Sequence, residues 1–130
     1  MSYIRGIRGA ITVRRNTRDE IVSSTLMLLK RLAAVNKVKI ENVASVIFSV
    51  TKDLNAEFPA IAARKLGWLF TPLLCTYEID VPGSLRKCVR VLMHVNSNKP
   101  QSRMKHVYLR GAMKLRPDMK GTKKGLYYLS

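Results

Sequence analysis

The sequence predicts a single α+β or α/β domain in which helices cover one layer of β-sheet. Three observations support this class: the length of 130 residues suits one domain, strand-like alternation recurs along the chain with only two helical patterns, and no internal repeat or low-complexity linker intervenes. Two helices are too few to cover both faces of a sheet of about four or five strands. The leftover apolar face therefore predicts a homo-oligomer.

Residues 3–13 alternate small and branched side chains and predict the first strand, with Arg8 among small neighbours. Thr17, followed by Glu20 three residues later, forms a capping-box pattern that predicts the start of a helix. This helix is expected to run to about Asn36. Apolar spacing of three to four residues predicts its buried stripe, which comprises Ile21, Thr25, Leu28, Leu29 and Leu32.

The middle of the chain predicts three more strands and a second helix. Residues 42–51 are rich in β-branched side chains, which favours a central strand. Residues 58–67 read FPAIAARKLG and predict a short helix ending at Gly67. A third strand over residues 69–79 and a fourth over residues 88–96 flank the turn DVPGS.

The C-terminal part is less regular. Residues 104–115 fit either a turn entering a strand at residues 106–109 or a longer helix, and both alternatives stay open. A domain of residues 1–118 is followed by residues 119–130, which are basic and predict a mobile tail.

The net charge of +16 is the extreme feature of the composition, and its excess lies at the two ends of the chain. Such a charge suggests a polyanionic partner, either nucleic acid or an anionic membrane. No aromatic-interleaved RNA-binding pattern, zinc finger or helix-turn-helix spacing accompanies it. A solvated basic surface is therefore favoured over a nucleic-acid face.

Targeting signals and metal-binding patterns are missing from the sequence. The apolar runs are too short to span a bilayer, and no export signal opens the chain, so we expect a soluble cytoplasmic protein without a membrane partner. Cys75 and Cys88 form no CxxC pair and have no suitably spaced histidine. Both are expected to be reduced thiols, with no metal site.

Two charges stand within the third and fourth predicted strands, Glu78 and Arg90. The face of the fourth strand that carries Val89 and Val91 is pure core, so Arg90 belongs to the opposite face, beside Cys88. In the simpler interpretation Glu78 and Arg90 form a cross-strand ion pair of little energetic weight. In the other they line a pocket for a ligand with more than one carboxylate, together with Arg8, Arg64, Tyr108 and Arg116.

The chemistry that the sequence lacks is also informative. No catalytic triad, Cys-His pair, paired acids, metal cluster or phosphate-binding glycine loop is evident, and neither His94 nor His106 has an obvious partner. An enzyme built on this chain would therefore act by positioning and fixed charge, with no cofactor.

The motifs RGIRGAITV, DLNAEFPAIAARKLGW, PLLCTYEIDVPGSLRKCVRV and HVYLRGAMKLRPD occur in this order. Together they resemble the monofunctional chorismate mutases of the AroH class over roughly residues 4–118. The resemblance implies a Bacillus-type α+β fold, a mixed sheet with helices on one side that assembles as a homotrimeric pseudo-α/β barrel. It also implies active sites between subunits and the Claisen rearrangement of chorismate to prephenate, a step of phenylalanine and tyrosine biosynthesis.

The resemblance further implies roles for four catalytic residues. Arg90 would donate to the ether oxygen of chorismate, where charge develops, and to the side-chain carboxylate. Arg8 would bind the same carboxylate, and Tyr108 would add a hydroxyl donor. Glu78 would accept from the substrate hydroxyl and hold Arg90 in place.

The implied binding residues surround these four. Cys75 would lie near the substrate hydroxyl, the neighbouring subunit would contribute a wall and a positive rim, and the last residues before the tail would close the mouth. The implied set comprises Leu74, Cys75, Thr76, Tyr77, Phe58, Ala60, Arg64, Leu115 and Arg116.

The chain also departs from the family pattern. Ile61 stands where the family often has lysine, Leu73 and Leu74 replace a smaller pair, KLGW is one residue shorter, and the family is not notably basic. Two alternative functions stay open at this point. One is a basic nucleic-acid-binding protein, and the other is a non-catalytic trimer that binds a small molecule.

Overall fold

The computed structural model describes residues 2–117 in full and only the backbone of residues 120–121 and 126–128. The strands are β1 (Tyr3–Thr12), β2 (Val43–Val50), β3 (Leu73–Tyr77), β4 (Cys88–Ser97), β5 (His106–Leu109), β6 (Lys120–Gly121) and β7 (Leu126–Tyr128). The helices are α1 (Arg18–Asn36) and α2 (Ile61–Lys65), with short 3-10 helices at Ile40–Asn42, Gln101–Arg103 and Arg110–Leu115.

The strands form one mixed sheet in the order β3-β2-β4-β1-β5-β7-β6. β4 is antiparallel to both β1 and β2, whereas β5 is parallel to β1 and β3 is parallel to β2. Both helices contribute to one main core on the same face of the sheet. The predicted α+β class, with a mixed sheet and helices on one side, is confirmed.

Helix α1 follows its predicted bounds because local signals fix both ends. Thr17 precedes the helix in an extended conformation, and its hydroxyl accepts the backbone N–H of Glu20 at 3.2 Å. Lys37 ends the helix in the left-handed conformation, with φ of 52°. All five residues of the predicted stripe are buried. The stripe packs closely over β1, since a Cβ added at Gly9 would lie 2.8 Å from Leu32 Cδ1.

The third strand is shorter than predicted, and its surroundings explain both ends. Before it, the Arg64 guanidinium holds the carbonyls of Trp68, Leu69 and Thr71, so this segment bonds to a side chain instead of to a strand. After it, the neighbouring strand β2 ends at Val50, which removes the pairing partner.

The ambiguous segment near the C-terminus contains the predicted short strand. β5 pairs with β1, and the chain then forms the 3-10 helix Arg110–Leu115 instead of a longer α-helix. Most of the predicted tail lies outside the described residues, apart from the backbone of β6 and β7. Its mobility therefore stays a prediction. Within the described residues, no helix combines the length and apolar character needed to cross a bilayer.

Candidate active site

The face of the sheet opposite the helices carries the charged residues that the sequence singled out. Arg90 lies in β4, and at its level the neighbouring strands place Ser49 of β2 on one side and Ala10 of β1 on the other. Val89 and Val91 point to the helix-covered face and are buried. The predicted facing of Arg90 is confirmed, and the small residues beside it leave room for its guanidinium.

Glu78 follows the last residue of β3 and meets Arg90 across an intervening strand. Glu78 Oε2 lies 3.6 Å from Arg90 Nη1, while Oε1 accepts a hydrogen bond of 2.7 Å from the Ser49 hydroxyl. The backbone N–H of Glu78 donates to the carbonyl of Val50 at 2.8 Å. The predicted contact between the two charges exists, but β2 separates their strands, and Ser49 takes part in it.

The Arg90 guanidinium retains unused donor capacity. Its side chain is only 19% exposed, and Nε is buried without a hydrogen-bond partner in the part of the chain that the structure describes. A buried donor without an acceptor is costly, so an acceptor from a bound ligand would be favourable here. The neighbouring Cys88 thiol is fully buried. Burial raises the pKa of this thiol more than the charge of Arg90 and a side-chain hydrogen bond with Arg90 lower it, so the thiol is neutral near pH 7.

Arg8 lies beside Arg90 at the same opening. A cavity of about 220 Å³ on this face is lined by Arg8, Ile47, Ser49, Glu78, Arg90, Val91 and Leu92. It combines two guanidinium groups, one carboxylate and an aliphatic wall. Such a composition suits a compact organic anion that carries a polar group for Glu78.

Arg116 extends the positive region next to Arg8, and the ring of His106 lies near both arginines. The backbone N–H of Arg8 donates to His106 Nδ1 at 2.9 Å, so this nitrogen is the unprotonated acceptor. Burial, followed by the charges of Arg116 and Arg8, lowers the pKa of His106. The imidazole is therefore neutral near pH 7, and Arg8 and Arg116 both lie within electrostatic reach of it.

Tyr108 stands one strand beyond Ala10 on this face of the sheet. It pairs in register with Ala10 and packs with Cys88 and Ala112 in a small second core, against which Leu115 also packs. The Tyr108 ring is almost fully buried, at 1% exposure. Of the predicted site residues, Arg8, Glu78 and Arg90 line the cavity, whereas Tyr108 lies one strand beyond Ala10, and Leu115 and Arg116 stand at the end of the 3-10 helix after β5.

A second group of predicted site residues lies elsewhere in the same chain. Phe58, Cys75, Thr76 and Tyr77 line a cavity of about 330 Å³ together with Val50, Leu54, Asn55, Ala56, Glu57 and Pro59. By alternation along β3, Cys75 and Tyr77 point to the face opposite Arg90, whereas Leu74 and Thr76 share the face of Arg90. One chain therefore does not bring Cys75 or Phe58 to Arg90.

The remaining members of this second group have local partners. Arg64 is exposed, and its guanidinium holds the loop carbonyls before β3. Ala60 packs against the main core. Burial raises the pKa of the half-buried Cys75 thiol, while a hydrogen bond from the backbone of Ala60 acts in the opposite direction.

The predictions from the sequence included neither Ser49 nor the contacts of the two histidines. Ser45 Oγ and His94 Nδ1 are 3.0 Å apart, and His106 accepts from Arg8, so both histidines have partners. The period-two pattern of β2 could have placed Ser49 on the correct face, but only the strand order brings it between Glu78 and Arg90.

The described residues contain no group of three or more histidine, cysteine, aspartate or glutamate side chains that could hold a metal ion.

Comparison with known proteins identifies the family. The model of the family described as chorismate mutase type I matches residues 4–119. The chain belongs to the chorismate mutase type I family. The family and enzyme class predicted from the sequence are thereby confirmed.

Close relatives cover nearly the whole chain. Chorismate mutase AroH of Bacillus subtilis (strain 168) is 48% identical over 121 residues, covering 92% of this chain and 95% of the relative. Chorismate mutase AroH of Thermus thermophilus is 49% identical over 117 residues, covering 89% and 96%. A solved chorismate mutase from Clostridium thermocellum superposes with a TM-score of 0.81 at 59% identity, covering 82% of this chain and 96% of that chain.

Proposed function

We propose that this chain converts chorismate to prephenate by Claisen rearrangement, in the biosynthesis of phenylalanine and tyrosine, at the cavity lined by Arg8, Glu78 and Arg90. The observation that carries the proposal is the largely buried Arg90 guanidinium, which stands beside Arg8 and a carboxylate and whose Nε has no hydrogen-bond partner among the described residues. Chorismate presents two carboxylates, a hydroxyl and an ether oxygen, which complement these groups.

The reaction itself explains why such a site suffices. The ether C–O bond breaks while a C–C bond forms within one molecule, with no covalent intermediate and no proton transfer. The protein must capture the compact conformer and stabilise the negative charge that develops on the ether oxygen. A preorganised guanidinium does both, because its fork can serve the ether oxygen and the adjacent carboxylate together.

Each residue of the cluster has a defined part in this proposal. Arg90 donates to the ether oxygen and the side-chain carboxylate, and Arg8 donates to the same carboxylate. Glu78 accepts from the substrate hydroxyl while its other oxygen faces Arg90. Tyr108 adds a hydroxyl donor from the strand beyond Ala10. Arg116, near Arg8 and His106, closes the positive rim with Leu115.

The site is completed by a second copy of the chain in a homotrimer that forms a pseudo-α/β barrel. The separation of Phe58, Ala60 and Arg64 from Arg90 within one chain supports this, because these groups can meet only between subunits. The edge of the sheet at β3 also exposes several large apolar side chains, which suits an interface. They are Phe58, Leu69, Phe70, Leu74, Tyr77, Ile79 and Val81.

In this assembly the neighbouring subunit supplies Phe58 and Ala60 as apolar wall and Arg64 as positive rim. The backbone of residues 74–77 of that same neighbouring subunit forms another part of the wall and brings its Cys75 near the substrate hydroxyl, because Cys75 of the chain that carries Arg90 points to the opposite face of the sheet. Strand β3 is an edge strand, whereas Arg90, Arg8 and Tyr108 stand on β4, β1 and β5 in the interior of the sheet order, so the β3 edge of one subunit can approach the site of the next in a cyclic arrangement.

The activity is tested by following the loss of chorismate absorbance on adding purified protein, with prephenate identified by mass spectrometry. Turnover supports the mutase. Tight chorismate binding without turnover would instead indicate the non-catalytic trimer. An electrophoretic shift of nucleic acid at physiological salt would indicate the nucleic-acid-binding protein, although nucleic acid is the less favoured partner.

The shared site is tested by mixing two inactive variants. Arg90→Ala removes the donor of one half, and Phe58→Asp puts a carboxylate into the wall that the dianionic substrate meets. Each mixed trimer then contains one site with both halves intact, so co-refolding should restore activity. Mixed trimers that form, as seen by differential tags and sedimentation, yet stay inactive would contradict the shared site.

The cytoplasm is the proposed location. Cys75 and Cys88 are both free thiols, which fits a reducing compartment.

A further inference from the structure

Ser49 contacts the Glu78 carboxylate, which accepts from the substrate hydroxyl in the proposed reaction. Its hydroxyl donates to Glu78 Oε1 at 2.7 Å, while Glu78 Oε2 lies 3.6 Å from Arg90 Nη1. The two oxygens of one carboxylate thus face a hydroxyl on one side and a guanidinium on the other.

The strand that carries Ser49 also holds the backbone of Glu78. Ser49 and Val50 are consecutive in β2, and the Val50 carbonyl accepts the N–H of Glu78 at 2.8 Å. Ser49 is also in register with Arg90 of β4, the strand that flanks β2 on the side away from β3. Two adjacent residues of a central strand therefore fix Glu78 by its main chain and by its side chain, next to the guanidinium.

The distances indicate what the hydroxyl does. A direct charge-assisted bond between a guanidinium and a carboxylate is about 2.7 to 2.9 Å long, and such pairs are often bidentate. The separation of 3.6 Å is longer, so Glu78 stays close enough to orient Arg90 without occupying its fork. The Ser49 bond restrains the carboxylate at Oε1, and the donors of Arg90 remain available to a ligand.

We propose that Ser49 is a positioning residue that holds Glu78 back from Arg90, so that the carboxylate and the guanidinium can both hydrogen-bond to the substrate. This inference rests on the proposed mutase function. Without the hydroxyl, the carboxylate loses the donor that restrains Oε1 and closes on the guanidinium as a tight pair. That pair would consume the donors meant for the ether oxygen and the carboxylate of chorismate.

Ser49→Ala tests this, and the chain offers a matched control. Ser45 also lies in β2, is also half-buried and also bonds a side chain, but its partner is His94 and it stands four residues from Ser49, about 13 Å along the strand. Losing a hydrogen bond to a charged group predicts a fall in kcat/KM of about 10- to 100-fold for Ser49→Ala. Ser49→Thr, which retains a hydroxyl, should keep most of the kcat/KM of the unmodified protein. Ser45→Ala should leave kcat/KM within about twofold of the unmodified protein.

A double-mutant comparison separates positioning from a general structural role. If Ser49 acts through Glu78, adding Ser49→Ala to a Glu78→Gln variant should cause little further loss of kcat/KM. An equal loss in both backgrounds, or no loss in the unmodified background, would overturn the proposal.

A crystal structure of Ser49→Ala gives a readout that does not depend on turnover. We expect Glu78 to move to within about 3 Å of Arg90 in a direct ion pair. A carboxylate that keeps its position would overturn the role of Ser49 even if activity fell. If the unmodified protein does not turn over chorismate, the proposed function fails, and the position of Glu78 in the variant still decides whether Ser49 restrains it.

Discussion

Replacing Arg90 removes the group on which the proposed chemistry depends. In Arg90→Ala no donor remains for the ether oxygen, and in Arg90→Lys a single ammonium replaces the planar fork. The lysine ammonium cannot donate to Glu78 on one side and to the substrate on the other with the geometry of the guanidinium fork. Both variants should therefore be impaired, even though the second preserves the charge.

The magnitude follows from the burial of the site. The Arg90 side chain is only 19% exposed, so its donors act largely outside bulk water, where preorganised hydrogen bonds are strongest. Removing one such donor costs about 3 to 4 kcal/mol of transition-state stabilisation, which corresponds to a 100- to 1,000-fold fall in kcat. We expect Arg90→Ala to lose at least this much and Arg90→Lys to lose most of it.

The assay is the initial rate of chorismate loss over a range of concentrations, with urea unfolding as the test of folding. Arg5→Ala is the control, since Arg5 is an arginine of β1 whose Nε bonds the Lys99 carbonyl at the far end of the strand. Its kinetics should match those of the unmodified protein. A folded Arg90→Ala variant with kcat within about threefold of normal would refute the assigned role.

Further measurements test the charge, the packing and the buried groups of the fold. Because the net charge of +16 attracts a dianionic substrate, kcat/KM should fall with ionic strength while kcat stays nearly constant; a flat kcat/KM would make the charge incidental. Gly9→Ala should lower the free energy of unfolding by about 1 to 3 kcal/mol in urea, since the new Cβ would lie 2.8 Å from Leu32 Cδ1; unchanged stability would show that α1 can shift freely. Thiol labelling at pH 7.5 should modify the half-buried Cys75 before the fully buried Cys88, and the reverse order by mass spectrometry would contradict the placement of β4. The lowered pKa of His106 means that the folded state favours the neutral ring, so the stabilisation from His106 is present above about pH 6.5 and is lost as the pH falls. His106→Gln should therefore lose less free energy of unfolding between pH 7.5 and pH 5 than the unmodified protein, and an identical loss would contradict the role given to His106.

Local signals account for the parts of the fold that the sequence predicted. The Thr17 cap and the spaced apolar stripe specify α1 because both depend on residues within a few positions of one another. The ends of β3 were not predictable in this way. They depend on the Arg64 contacts with the preceding loop and on the point where β2 stops.

The candidate site divides along the same line. Alternation along β4 was enough to put Arg90 on the face away from the core, since successive side chains of a strand point to opposite sides. The resemblance to a known family then supplied the roles of Arg8, Glu78 and Tyr108. Neither source predicted the partners of the histidines, because Ser45 and Arg8 lie far from them in the chain.

The amino-acid order alone determined the class of fold, the family and the face of the sheet on which Arg90 stands, because each of these depends on short-range periodicity or on contiguous motifs. Only the tertiary structure decided that β2 lies between β3 and β4, and hence that Ser49 stands between Glu78 and Arg90. Strand order in a sheet is set by the packing of distant segments around a common core, and no local pattern in β2 records which strands will flank it.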